Sequence, residues 1–513
     1  MNRFGKSYKY MKNPYLCPVM KMEKYILSIF LCLATLTSFA QDWNLKWEAE
    51  SDFIGGTGDY LPFWSRTGRN GIVPYSSSAL IIGGADIEYK AQNGLYFEAG
   101  TNLVGSLESE NPINPVQTRG IVDRLYVGGG WKMLHLDLGM KPRENELGDL
   151  SISGGNTLWS NNARNIPGIN GWSDWIYFEK GHWFGFKGNI AHYQMIDNRY
   201  VAKTMLHNKS LSLKLAAGRK VDLIFGVDHW AQWGGVSPHQ GAQPSSFIDF
   251  LRIACVQAGG DDATKSDQMN VLGNHLGREY WRVDWRASGF TMTFQYDMPF
   301  EDNGGIKKLQ NFPDGVWSIK FAFADRDAFV TDVIGEFINT TWQAGPLHDR
   351  PATEEEMKHQ NPESPFYGKV VLGGVDNYFM NSTYCSGWTN HNRIIGLPLI
   401  LPSAPNQEGI TYGIPNNRLR AYHLGVGGNA FEGVPYTFKA TYSSNWGKYN
   451  IKDDNIFKTK PWQLSLALEL DFGKEITSLP MIVSVGAYGD IGQLYQNSFG
   501  LTLKIKYHDA CRF

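Results

Sequence analysis

Apolar and polar residues alternate one by one near the end of the chain. In residues 499–507 every second residue is apolar, and the residues between are small or polar. A period of two is typical of a β-strand with one apolar face and one wet face. The same alternation recurs in residues 281–287, 290–297 and 462–472. Many of these stretches end in Trp, Tyr or Phe and carry charges on the wet face. This combination indicates a barrel that spans an outer membrane.

We predict an all-β fold, a transmembrane antiparallel β-barrel of about 18 strands, an even number that is usual for such barrels. The strands are expected to begin near Trp43, Ser78, Leu95, Arg119, Trp131, Gly171, His182, Asn208, Lys220, Arg278, Gly289, Val316, Phe329, Leu419, Val434, Pro461, Met481 and Gln496. Charges on the wet face, such as those of Glu48 and Arg282, are expected to form ion-pair ladders in the lumen.

Short and long connections alternate between these strands. Residues 92–94 and 128–130 form tight turns, whereas 142–170 and 343–418 are long. Outer-membrane barrels join strands by short periplasmic turns and longer extracellular loops. The alternation therefore predicts that the long loops lie outside the cell. A connection of about 75 residues is far longer than usual, which predicts loops that fold over or into the lumen. Short helices are expected at residues 246–256 and 353–357.

The N-terminal residues have the features of a secretory signal peptide. Two lysines precede an apolar run at residues 25–36, and the small residues Ser38 and Ala40 follow it. The run is shorter than the roughly 20 residues that a spanning helix needs. We therefore expect an N-terminal extension and signal peptide at residues 1–40 and one outer-membrane β-barrel at residues 41–513. The expected location is the outer membrane of a Gram-negative bacterium.

Charge and cysteine content exclude several classes of protein. With 48 basic and 50 acidic residues, the chain has no basic field for nucleic acid. Cys255, Cys385 and Cys511 follow the expected cleavage site and lack the spacing of a zinc site. We expect no metal, no cofactor and no nucleic-acid partner.

Enzyme motifs are also missing from the sequence. It contains neither a Gly-x-Ser-x-Gly elbow nor a His-Glu-x-x-His helix. His182 and His192 lie in predicted strands, where a lone histidine is more often structural. Asp261, Asp262 and Asp267 could offer oxygen ligands to Ca²⁺, although loop acids are usually just solvated. We therefore expect a protein that is not an enzyme.

The long loops contain residues that suit sugar recognition. Planar polar groups supply paired hydrogen bonds, and exposed aromatic faces cover sugar rings. The same residues could instead tie the loops together and plug the barrel, because buried Asn and Arg side chains bond loop backbone. Both roles stay open. The candidates are Trp64, Asn162, Arg164, Asp376, Asn377, Tyr378, Trp388 and Arg393, and the sugar-binding role requires Trp64, Tyr378 and Trp388 to be exposed.

Several loop segments resemble the Wzi capsule-assembly family. The similar segments are residues 160–164 with Pro167, 376–379, 387–389, 393–396, and 61–64 followed by Gly71. The resemblance runs over nearly the whole chain after residue 40. It implies a monomeric barrel of 18 strands that acts as a lectin and holds capsular polysaccharide at the cell surface. The family's best-studied members also bear a helical bundle on the periplasmic side, for which this sequence offers no obvious counterpart.

The sequence thus favours an outer-membrane barrel that binds and retains capsular or related polysaccharide through its extracellular loops. The expected partners are polysaccharide and outer-membrane lipid. Weak contacts repeated over many barrels could hold one long polymer by multivalency. The alternative is a porin or sugar-specific channel with an open lumen, and a third class is a structural or adhesin-type surface protein without a glycan ligand.

Overall fold

The chain forms a closed antiparallel β-barrel of 18 strands, one of them interrupted, and the last strand pairs with the first. The computed structural model describes residues 43–110, 119–178, 181–269, 271–301, 309–346, 349–364, 367–371, 374–449, 455–473 and 480–512. The predicted signal peptide lies outside the described residues. The predicted number of strands is confirmed, and each strand begins within about four residues of its expected start.

The strands are β1 Trp43–Gly56, β2 Ser78–Lys90, β3 Leu95–Glu108, β4 Gly120–Trp131, β5 Leu134–Met140, β6 Gly168–Ser173 continued by Ile176–Tyr177, β7 Phe184–Gln194, β8 Met205–Ala217, β9 Val221–Trp233, β10 Asn274–Arg286, β11 Phe290–Phe300, β12 Gly315–Phe323, β13 Asp332–Asn339, β14 Arg418–Phe431, β15 Val434–Gly447, β16 Trp462–Phe472, β17 Met481–Gly492 and β18 Ser498–Arg512. Each pairs with its neighbours in the chain.

Strand β16 shows how the alternation sets the two faces of the wall. Gln463 and Ser465 are buried on the lumen side. Leu464, Leu466 and Leu468 alternate with them and face outward, where Leu468 is 44% exposed. Because the hydrocarbon of a bilayer offers no partner for polar groups, leucine is the stable choice on the outer face.

Arginine substitutions test this facing. Leu466→Arg is expected to lower the free energy of unfolding by about 2–4 kcal/mol, because it places a charge in lipid near the bilayer midplane. Ser465→Arg is the matched control and should cost less, because its side chain enters a polar lumen. Unfolding titrations in lipid vesicles measure both values, and equal losses at the two positions would contradict the facing.

Ion pairs line the lumen as expected. Glu48 on β1 bridges Arg124 at 3.2 Å and Lys506 at 2.7 Å. A second ladder joins the guanidinium of Arg286 to Asp222 at 3.0 Å. The contacts of Lys506 and Arg286 join neighbouring strands, whereas the contact of Arg124 joins β1 to β4 over the lumen face of the wall. All of these charges connect residues of the wall.

Helices lie in the long connections. They are α1 Phe63–Arg66, α2 Phe247–Ala254, α3 Lys265–Met269, α4 Glu354–Lys358 and α5 Asn455–Lys458. The predicted helices at 246–256 and 353–357 are confirmed as α2 and α4. Among the described residues no helix is long and apolar enough to cross a membrane. The described part of the tight-turn end holds no helix, so the bundle that the resemblance implies is not found there.

The long loops pack together inside the barrel. Loops 57–77, 141–167 and 340–417 meet in one hydrophobic core, which also includes wall residues. Its largest buried members include Phe63, Trp64, Leu158, Trp159, Trp230, Tyr378 and Trp388. The predicted folding of loops into the lumen is confirmed, and we call this body of loops the plug.

Candidate functional site

A buried carboxylate joins the plug to the wall of the barrel. Glu336 on β13 accepts hydrogen bonds from Ser151 Oγ at 2.9 Å, from the Ile152 backbone N–H at 2.7 Å and from Ser153 Oγ at 2.6 Å. Loop 141–167 leaves the wall between β5 and β6, so these bonds tie it to a strand that is distant along the sheet. Since Glu336 is buried, the three loop donors supply the partners that water would otherwise provide.

A second wall contact lies close to the first along the same loop. Asp297 on β11 accepts from Thr157 Oγ1 at 2.7 Å and from the guanidinium of Arg278 at 2.6 Å. Arg278 and Gln295 also donate to the carbonyl of Gly155, at 2.6 and 2.7 Å. The loop is therefore fixed through its backbone, and its position depends on charged wall residues.

The two largest plug loops pair with each other through their backbones. The Ser160 N–H donates to the Ile395 carbonyl at 2.8 Å, and Asn162 Nδ2 donates to the Ile394 carbonyl at 3.0 Å. Both residues lie in segments that resemble the Wzi family. In this structure those segments are the seam between loops 141–167 and 340–417.

Trp388, Tyr378 and Trp64 are buried, and the expectation that they are exposed is wrong. Their exposed fractions are 0%, 1% and 4%. Trp388 donates from Nε1 to the Leu158 carbonyl at 2.6 Å. The loops fold round a shared core, and large aromatic rings gain most from leaving water. These three rings therefore offer no face to a sugar.

Asp376 bonds loop 340–417 to the segment between β11 and β12, and Asn377 makes a bond within the loop. Asp376 accepts from Asn311 Nδ2 at 2.8 Å, and Asn377 Oδ1 accepts from Asn417 Nδ2 at 2.9 Å. Both are partly buried. Their contacts, like those of Asn162, hold the plug loops in place, and a role for them in sugar binding stays a prediction.

Arg164 and Arg393 border an open cleft of about 190 Å³ on the outer side of the plug. The Arg393 guanidinium donates to the Val73 carbonyl and lies 4.4 Å from the ring centre of Tyr75. Arg164 Nη1 lies 3.3 Å from His391 Nδ1. We call this cavity the arginine cleft.

The electrostatics of the arginine cleft favour an anion. Burial, together with the nearby charge of Arg393, lowers the pKa of Arg164 to about 10. Burial also lowers the pKa of Arg393. Burial and the charge of Arg164 lower the pKa of His391 to about 4, so its ring is neutral and can accept from Arg164. Glu108 and Asp197 also line the cleft, but burial costs the two guanidinium groups more hydration than these acids return, and an anionic ligand would offset that cost.

A second cavity of about 260 Å³, mainly apolar, adjoins the arginine cleft. Tyr75, Asn392 and Arg393 line both cavities. The Tyr60 and Tyr75 rings meet edge to face at 5.8 Å, and both are partly exposed. We call this cavity the tyrosine cleft. Sequence reasoning missed these tyrosines because the sequence of a long loop does not show whether a tyrosine ring is exposed for binding or buried by packing.

The remaining candidates do not form a chemical centre. Among the described residues no group of three or more His, Cys, Asp or Glu side chains could hold a metal ion, so Asp261, Asp262 and Asp267 do not form a calcium site. The ring of His182 stacks on Tyr177 at 4.6 Å.

No protein-family model and no curated protein matches the chain. The fold is similar to solved outer-membrane barrels. Wzi from Escherichia coli, described as an outer membrane protein involved in group 1 capsule assembly and a carbohydrate-binding β-barrel, aligns with TM-score 0.50 and 12% identity, over 92% of this chain and 86% of that chain. OccK3 from Pseudomonas aeruginosa aligns with TM-score 0.47 and 8% identity, over 93% and 98%. OccAB4 from Acinetobacter baumannii aligns with TM-score 0.45 and 10% identity, over 92% and 99%. At such identities the likeness shows the fold alone, an outer-membrane β-barrel.

Proposed function

We propose that this barrel binds surface polysaccharide on the outer side of its plug and retains capsular polysaccharide at the cell. The observation that carries the proposal is the pair of adjoining clefts, one lined by arginines and the other by tyrosine faces. The similarity to Wzi, a carbohydrate-binding barrel, supports it, as does the resemblance of the loop segments to that family. The proposed role is binding by a single chain, without catalysis.

The chemistry of the two clefts fits an acidic sugar chain. A sugar ring can lie against Tyr60 or Tyr75, because aromatic faces cover the apolar C–H face of a ring. A uronate or similar acidic group on the next sugar can approach Arg164, which is partly exposed and offers charge-assisted hydrogen bonds, while the buried charge of Arg393 lies behind it. Asn392 lines both clefts and can serve hydroxyls between them.

The two clefts are small, so each barrel holds only a short part of a polymer. Single sites of this kind bind weakly, but a long chain meets many barrels at once. Retention then depends on the number of barrels engaged. A modest loss of affinity at each site should therefore cause a large loss of attached polymer.

Retention can be measured as cell-attached against released polysaccharide in a deletion strain. Complementation with the wild-type chain should restore attachment, whereas a Tyr60→Ala, Tyr75→Ala double variant should leave most polymer in the medium. Tyr367→Ala is the matched control, since this tyrosine is 46% exposed in loop 340–417 and does not line either cleft. If deletion leaves the attached fraction unchanged, the retention role is wrong. If deletion releases polymer but the double variant retains as much as the wild type, the retention role stands and the clefts are not its site.

A further inference from the structure

Helix α2 lies against the outer wall of the barrel, not in the lumen. The ring of Phe250 packs edge-on against the rings of His192 and His207, with 5.7 Å and 5.4 Å between the ring centres. At the other end of the helix, Lys209 on β8 donates from Nζ to the Ala254 carbonyl. Loop 234–273 therefore folds back over the barrel and brings its helix onto the strands.

The strand residues under the helix belong to the lipid-facing row. On β8, Leu211, Leu213 and Leu215 face outward and are 51%, 36% and 45% exposed, as expected for side chains in contact with lipid. Lys209 and His207 lie on the same face of β8, closer to its extracellular end. Polar side chains facing hydrocarbon are costly, so this part of the wall needs a cover.

The inner face of α2 supplies that cover. Ile253 is fully buried in a hydrophobic cluster with Ala231 and Trp233 of β9 and with Leu272 of the same loop. Ala231 and Trp233 alternate with Trp230, which is part of the plug core, so they lie on the outer face. The helix is thus packed onto the wall by apolar contacts.

The outer face of α2 is apolar and uncovered. Phe247 is 74% exposed, Ile248 61% and Leu251 45%. The start of the helix is fixed by reciprocal hydrogen bonds between Ser246 and Asp249. A fixed helix that presents three large apolar side chains is unfavourable in water but favourable in lipid.

We propose that α2 is embedded in the outer leaflet and that lipid acyl chains cover Phe247, Ile248 and Leu251. We choose lipid because the exposed face of the helix is continuous with the lipid-facing surface of the barrel. The C-terminal end of the helix bonds to Lys209, and Leu211, the next outward residue on β8, is already part of the lipid-facing surface. The helix continues that surface over the polar end of the row. It anchors loop 234–273 to the membrane, an arrangement that does not depend on any polysaccharide ligand.

Fluorescence quenching tests the position of the helix. A bimane label on Phe247→Cys is read in vesicles of phosphatidylcholine with brominated acyl chains, and separately with iodide in the water. The background carries Cys255→Ser and Cys511→Ser, since both cysteines are exposed, and its own labelling is the blank. Leu211→Cys is the lipid-facing control, and Glu355→Cys on exposed helix α4 is the aqueous control.

The label at position 247 should be quenched by bromine to within about twofold of the label at position 211, and by iodide roughly fivefold less than the label at position 355. Strong iodide quenching without bromine quenching would place the helix in water and overturn the proposal. Protection from both quenchers, with cross-linking between copies of the labelled variant, would assign the surface to a second copy of the chain and also overturn it.

Discussion

Replacing Glu336 with alanine is expected to release part of loop 141–167 from the barrel wall and to open an ion path through the lumen. The loop loses a shared acceptor for Ser151, Ile152 and Ser153. Hydrogen bonds to a charged group contribute about 1.5–3 kcal/mol each, and the buried donors left behind add a penalty. Residues 151–153 should then leave the wall, while residues 155 and 157 keep their contacts with Arg278, Gln295 and Asp297. The barrel itself should remain closed, because its strand pairing does not involve this side chain.

Conductance in a planar bilayer measures the change. The wild-type protein should conduct poorly, and Glu336→Ala should conduct at least about tenfold better, given the number of bonds removed. Asp332→Ala is the matched control, since Asp332 lies on the same strand and pairs with Arg326 rather than with the plug. Large steady currents from the wild-type protein would favour the porin or sugar-channel alternative.

The barrel could be predicted from the sequence because the membrane acts on every second residue of each strand. Ser465 and Leu466 are consecutive in β16 but face the lumen and the lipid, so the alternation of polar and apolar residues alone reveals the two faces. The plug has no such period. Trp388 and Leu158 are joined by a hydrogen bond between residues 230 positions apart, and only the folded loops bring them together. The sequence alone therefore does not distinguish a loop tryptophan that packs in the core from one that binds a ligand.

The segments that suggested a resemblance to the Wzi family lie in the plug, mostly where two loops meet, and Arg164 and Arg393 within them also line the arginine cleft. Residues 160–164 and 393–396 form the seam between loops, where backbone geometry restricts the choice of side chain. Helix α2 shows a similar limit. A helix was expected at residues 246–256, but its place on the outer wall depends on polar strand positions such as His207, which are unusual only once their face is known.

Removing the Trp388 side chain should destabilise the plug and, through the plug, weaken ligand binding. Trp388→Ala deletes a fully buried ring that packs against Trp230 at 5.5 Å and bonds to the Leu158 carbonyl. Truncating a buried aromatic residue costs about 3–5 kcal/mol. We expect rapid proteolytic cleavage within loop 340–417, together with weaker binding of acidic polysaccharide.

Comparison with Tyr75→Ala separates the two roles. Tyr75 lies at the junction of the clefts and is partly exposed, so its removal should weaken binding while the loops stay resistant to protease. Trp388→Phe keeps most of the buried apolar area and should retain both binding and resistance. If Trp388→Ala lost polysaccharide binding with unchanged protease resistance, Trp388 would act on the ligand directly, and the assignment of this ring to the plug alone would be wrong.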